Sequence, residues 1–99
     1  MYGTIARIHP RPDRTAELQK LMDEYGAEGR TPAGYRHSFI FRPDENPYER
    51  PTLFLIALFD DRATYRANAE SPEQDAEYRR LRELLEDDPD WMDGTFEGA

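Results

Sequence analysis

The sequence predicts an α+β domain of order β-α-β-β-α-β, with one four-stranded antiparallel sheet and its helices on one face. Three observations predict it. A segment of β-branched and aromatic residues opens the chain, and an almost wholly apolar run stands at Leu53–Phe59. Two stripes of helical period separate the strand-like segments. With 99 residues there is material for a single domain, residues 1–99, because a shorter chain cannot be divided into two independently stable halves.

Each element has its own signal. Tyr2–Ile8 suits a strand, and His9-Pro10-Arg11-Pro12 stops it, since proline removes a ladder donor. Asp13 is placed to cap the helix that follows. Leu18, Leu21, Met22 and Tyr25 form its apolar stripe, and Gly26 and Gly29 end it. After a turn at Thr31–Gly34, the second strand runs Tyr35–Arg42. Strict alternation puts Tyr35, His37, Phe39 and Phe41 on one face and Arg36, Ser38, Ile40 and Arg42 on the other. Pro43–Pro51 reads as a long hairpin connection. The third strand, Thr52–Phe59, is apolar at nearly every position and belongs in the middle of the sheet. Asp60-Asp61 cap a short helix reaching about Ala69. Ser71-Pro72-Glu73-Gln74 is a capping box, with Pro at the first helical position. That helix carries Tyr78, Leu81, Leu84 and Leu85 inward to about Asp87. Asp88-Pro89-Asp90 breaks it, and Trp91–Glu97 forms the fourth strand. The order is the split βαβ arrangement called ferredoxin-like.

Composition removes whole classes of function. Hydrophobic residues are 37% and charged residues 34%, and the longest apolar run is far short of the roughly 20 residues that cross a bilayer. A transmembrane protein is excluded, and no cationic, apolar leader opens the chain, so a cytoplasmic location is expected. The absence of cysteine excludes disulfides, a thiol nucleophile and thiolate metal sites. Thirteen Lys+Arg against 21 Asp+Glu give a formal charge of −8, which repels nucleic acid and anionic lipid. The one local exception, Arg79-Arg80-x-Arg82, is surrounded by acids at helical spacing and reads as a solvated face. His9, His37 and the carboxylates show no ligand spacing, so no metal is expected.

Phe39, Phe41, Phe54, Ile56 and Leu58 spread apolar character over both faces of the middle strands. Two helices cover one face only. Leaving the other in water forfeits roughly 1.5–3 kcal/mol per large side chain, so a homodimer packed sheet to sheet is expected.

At this point the chain resembles the dimeric α/β-barrel superfamily, and within it the antibiotic-biosynthesis-monooxygenase-like domains. The resemblance spans nearly the whole chain. It is carried by the opening strand with the turn Pro10-Arg11-Pro12-Asp13, the hairpin Gly34–Phe59, and above all Phe59–Pro72, where a short helix leads into Ser-Pro and a longer helix. The resemblance implies a dimeric α/β barrel whose members include enzymes that oxidise aromatic polyketides without a cofactor. Haem-degrading members carry an Asn in the first strand, a Trp ending the third and a His in the next helix. Thr4 or Ala6, Leu58 or Phe59, and Asn68 stand there instead, so no haem and no other cofactor is expected.

The resemblance implies a cofactor-independent monooxygenase acting on a small aromatic or polyketide-like ligand. For that chemistry His37 is the candidate acid/base, because imidazole titrates near neutrality; the alternative is a half-buried strand histidine with a hydrogen-bond partner. Asn68 and Tyr65 share a helix face and are candidates to polarise a substrate oxygen, or else are packing and capping residues. Trp91, Tyr35, Phe39 and Phe54 are candidates to line a substrate pocket, against a purely structural role. His9 reads as a surface residue. Arg7, Arg36 and Arg42 read as partners of the surplus acids. The alternative function is a non-catalytic, small-ligand-binding or stress-associated dimer on the same scaffold.

Overall fold

The computed structural model describes residues 1–27 and 32–98, the side chains of residues 25–27 excepted. The expected helix stop at Gly29 and the turn residue Thr31 lie outside the described residues. The strands are β1 (Tyr2–Ile8), β2 (Tyr35–Phe41), β3 (Leu53–Phe59) and β4 (Asp90–Thr95). The helices are α1 (Thr15–Ala27), α2 (Arg62–Ala69) and α3 (Pro72–Glu83). The sheet order is β2-β3-β1-β4 with every neighbouring pair antiparallel, which is the expected ferredoxin-like split βαβ.

The core forms where the helical stripes meet one face of the sheet. Leu18 and Leu21 of α1, Leu81 of α3 and the following Leu84 and Leu85 bury against Ala6 and Ile8 of β1, with Leu53 and Leu55 of β3 packed beside them. Ala6 pairs with Leu55 and Ile8 with Leu53, so the alternation of both strands delivers one apolar face. The opposite face carries Ile5, Phe39, Phe41, Phe54, Ile56 and Met92, related by the same pairings. Phe39 is 49% exposed, Phe41 54% and Met92 65%. In this single chain β3 is therefore central but covered on one face only.

Local signals set the element starts. Asp61 caps α2, its carboxylate accepting from the Thr64 amide at 2.8 Å. Ser71 caps α3 through the Gln74 amide at 3.1 Å, with Pro72 at the first helical position. Only half of the expected capping box forms, because the Gln74 side chain turns to the amide of Asn68 instead. Asp13 does not cap α1. It lies inside a 3₁₀ turn, Pro12–Arg14, that precedes the helix.

Two further differences share one cause. α3 ends at Glu83 rather than near Asp87, and His9 is buried rather than on the surface. After Leu84 the chain bonds across to the segment after β1: Arg11 N–H donates to the Leu84 carbonyl and Glu86 N–H to the His9 carbonyl, both at 2.9 Å. Pro10 and Leu85 form a bridge at the same place. These bonds outcompete another helical turn and bring His9 under the 43–51 connection, where its Nδ1 lies 3.1 Å from the Thr52 hydroxyl.

The arginines pair with acids much as expected: Arg7 with Asp90 at 2.9 Å, Arg36 with Asp60, and Arg79 with Asp75 one helical turn away at 3.0 Å. Arg80 reaches across to Glu24 of α1, and Arg42 donates to the Gln19 amide oxygen rather than to an acid. Among the described residues no helix is long and apolar enough to cross a membrane.

Candidate functional site

A cavity of about 1150 Å³ lies between the helix-bearing face of the sheet and the helices. Its origin is a row of small side chains. Ser38, Ala57, Thr4 and Asp93 pair in succession across all four strands. The next row on one side, Tyr35, Phe59 and Tyr2, is aromatic, and on the other Ile40, Leu55, Ala6 and Trp91 form a largely bulky row. Short side chains between bulky rows hold the helices away from the sheet and leave the space unfilled.

α2 delivers Tyr65 over this row. Its ring packs against Tyr2 at 5.4 Å and Phe59 at 5.7 Å. Its hydroxyl donates to Asp93 Oδ1 at 2.8 Å. Burial, then the hydrogen bond to the Asp93 carboxylate, push the phenol up to about 12, with the Thr4 hydroxyl acting weakly the other way. Tyr65 is thus a protonated donor at neutral pH. The helix comes close here because Gly34, at φ +79°, sits against the Thr64 side chain, where any Cβ would collide. Asn68, one turn later, gives its carbonyl to the Ser71 hydroxyl at 2.7 Å and points its amide to Gln74 at 3.3 Å. Tyr78 of α3 and Trp91 of β4 close another side, with ring centroids 6.2 Å apart.

The structure brings together Tyr65, Asn68, Tyr35 and Trp91, all bordering the cavity. Tyr35 arrives there through a bulge between Tyr35 and His37, which breaks the expected alternation. Its hydroxyl donates to Ser38 Oγ at 2.9 Å, on the helix side, not on the face of Phe39. His37 does not join this group. Its ring stacks on Phe39 at 4.4 Å, and Phe39, Phe41 and Phe54 belong to the uncovered face. The hollow passes the free edge of β2, where it borders His37 and Phe39. The imidazole and the Tyr65–Asp93 pair are nevertheless on opposite sides of the sheet.

Sequence reasoning missed Asp93, Thr4, Ser38, Gln74 and Tyr78 as cavity residues. Tyr78 carried a usable signal, being on the inward stripe of α3. Asp93 carried none, since within the strand Trp91–Glu97 it is one acid among the 21 of an acid-rich chain. Among the described residues no group of three or more His, Asp or Glu converges to hold a metal ion.

Solved structures with this architecture are numerous. SnoaB, a cofactor-independent oxygenase from Streptomyces nogalater, superposes with a TM-score of 0.78 at 15% identity over 99% of this chain and 94% of that one. The chain has the antibiotic-biosynthesis-monooxygenase fold. A further antibiotic biosynthesis monooxygenase matches with a TM-score of 0.74 at 14% identity, covering 99% of this chain and all of the other. A conserved protein from Methanosarcina mazei matches with a TM-score of 0.79 at 16% identity, over 97% and 92% of the two chains. No family model and no curated protein matches the sequence. What the monooxygenase fold shares with this chain is therefore backbone architecture, and its chemistry has to be argued from the residues around the cavity.

Proposed function

We propose that the chain is a cofactor-independent monooxygenase for a small aromatic or polyketide-like substrate bound between sheet and helices. The observation that carries this reading is the cavity itself, with its aromatic walls and a protonated phenol hydrogen-bonded to a carboxylate inside it. An electron-rich ring bearing an acidic CH2 loses a proton, and the resulting carbanion adds O2 to give a hydroperoxide. Loss of water then leaves a carbonyl: one oxygen atom stays on the substrate, and the other leaves in water with both hydrogens of the CH2. In this reading the chain deprotonates, orients and excludes bulk water. Asp93 is the carboxylate positioned to receive the proton; Asn68 donates to the oxygen that gains charge, and Tyr65 joins it once protonation of Asp93 releases the hydroxyl held there. Asp93 replaces His37 in the acid/base role, because the imidazole lies across the sheet. The same reading pairs two copies through the uncovered sheet face, which shields the edge of the hollow at β2.

Oxygen uptake by the protein with an anthrone-type substrate, without added metal or cofactor, tests the reading. Wild type is expected to consume oxygen, and Tyr65→Phe and Asn68→Ala each to lower kcat/KM by about 10-fold or more. Saturable binding without oxygen uptake would favour the non-catalytic ligand-binding alternative; unchanged uptake in both variants would refute the assigned roles.

A further inference from the structure

We infer that this hollow takes a neutral or cationic aromatic ligand that donates a hydrogen bond, and discriminates against carboxylated ones. The inference rests on the hollow being the ligand site, as proposed above. Its basis is the charge around the cavity. Among the described lining residues there is no lysine or arginine, whereas Asp23 of α1, Glu73, Asp75 and Glu77 of α3, and Asp93 of β4 all border it. Asp75 is paired to Arg79, which does not line the cavity, and Asp23 accepts from Gln19, which does line it but carries no charge.

The decisive group is Asp93. One of its oxygens accepts the Tyr65 hydroxyl, and a carboxylate has capacity for further donors. Tyr65 has committed its only proton to that bond. A ligand hydroxyl or ammonium therefore finds an acceptor at this end of the cavity, while a ligand carboxylate meets a like charge and, among the described lining residues, no lysine or arginine. Asp93 is itself exposed, so the penalty is like-charge repulsion rather than burial. The faces of Tyr35, Tyr78 and Trp91 favour cations through the ring quadrupole. The net charge of −8 works in the same direction at longer range.

Calorimetric titration with three ligands of one ring system tests this: naphthylmethylammonium, naphthalenemethanol and naphthoate, near neutral pH. The ammonium is expected to bind at least as tightly as the alcohol, and the naphthoate about 10-fold more weakly than the alcohol or worse. Asp93→Asn is expected to weaken the ammonium and strengthen the naphthoate. Circular dichroism checks that this variant folds. Should it not fold, raising salt on the wild type supplies the second measurement: the ammonium loses affinity and the naphthoate gains it. Naphthoate binding as tightly as the alcohol overturns the inference and leaves the cavity reading intact. So does a ranking insensitive to both Asp93→Asn and salt. The chain's single tryptophan, Trp91, borders the cavity, so its indole N–H resonance locates the ligand. If none of the three binds, or if binding leaves that resonance unmoved, the cavity reading falls and the inference with it.

Discussion

Tyr65 concentrates the residue-scale physics of the site. Its phenol is held protonated by burial and by the Asp93 carboxylate, to about 12 against the ordinary 10. A group whose folded value is raised contributes stability that is fully present below its unfolded value and is lost as pH rises through the folded one. Stability is therefore expected to fall between about pH 10 and pH 12 from this group. Near-ultraviolet titration of phenolate absorbance should show a late-ionising tyrosine that disappears in Tyr65→Phe. A titration curve identical in the variant would contradict the assignment. The aspartate beneath it illustrates why single residues resist reading in isolation. Nothing around Asp93 in the chain marks it, and its position comes from pairing opposite Thr4 at the other end of the sequence.

Among the elements, the starts of α2 and α3 lie where their caps place them, whereas Asp13 does not cap α1 and the features set by contacts with distant residues were not legible. Ser71-Pro72-x-Gln74 starts α3 where the sequence places it, because the cap bonds to its own first turn. Ser71→Ala is expected to cost about 1 kcal/mol, lowering Tm by roughly 4–8 °C in a domain of this size, which thermal unfolding would measure. The end of the same helix was not legible. Its apolar stripe continues through Leu84 and Leu85, yet bonds to residues 9–11 draw those leucines out of the helix. The face of Tyr35 was equally hidden, since one bulge reverses the parity of every side chain before it.

For the molecule as a whole, the uncovered sheet face dominates. Phe39, Phe41 and Met92 are about half exposed or more, on a chain otherwise rich in charge. A second copy packed on this face would remove that surface from water, at roughly 25 cal/mol per Å² of apolar area. Sedimentation of the wild type is expected to give a dimer, and the double variant Phe39→Glu/Phe41→Glu a folded monomer. A wild type that sediments as a monomer at micromolar concentration would count against the paired arrangement. His37, stacked on Phe39, lies within the same face, so its expected place is beside that contact, across the sheet from the Tyr65–Asp93 pair.

The order of the elements, the central position of β3, the apolar stripes of the core and the two helix caps were all legible in the residues alone. Each of these follows from periodicity or from bonds between near neighbours. Which candidate residues meet depends instead on how the folded strands align. Register and one β-bulge sort them to either side of the sheet, joining Tyr65, Asn68, Tyr35 and Trp91 to Asp93 and separating His37, Phe39 and Phe54 from the Tyr65–Asp93 pair. Strand register is set by packing between distant parts of the chain, and a shift of one residue changes which face a side chain occupies.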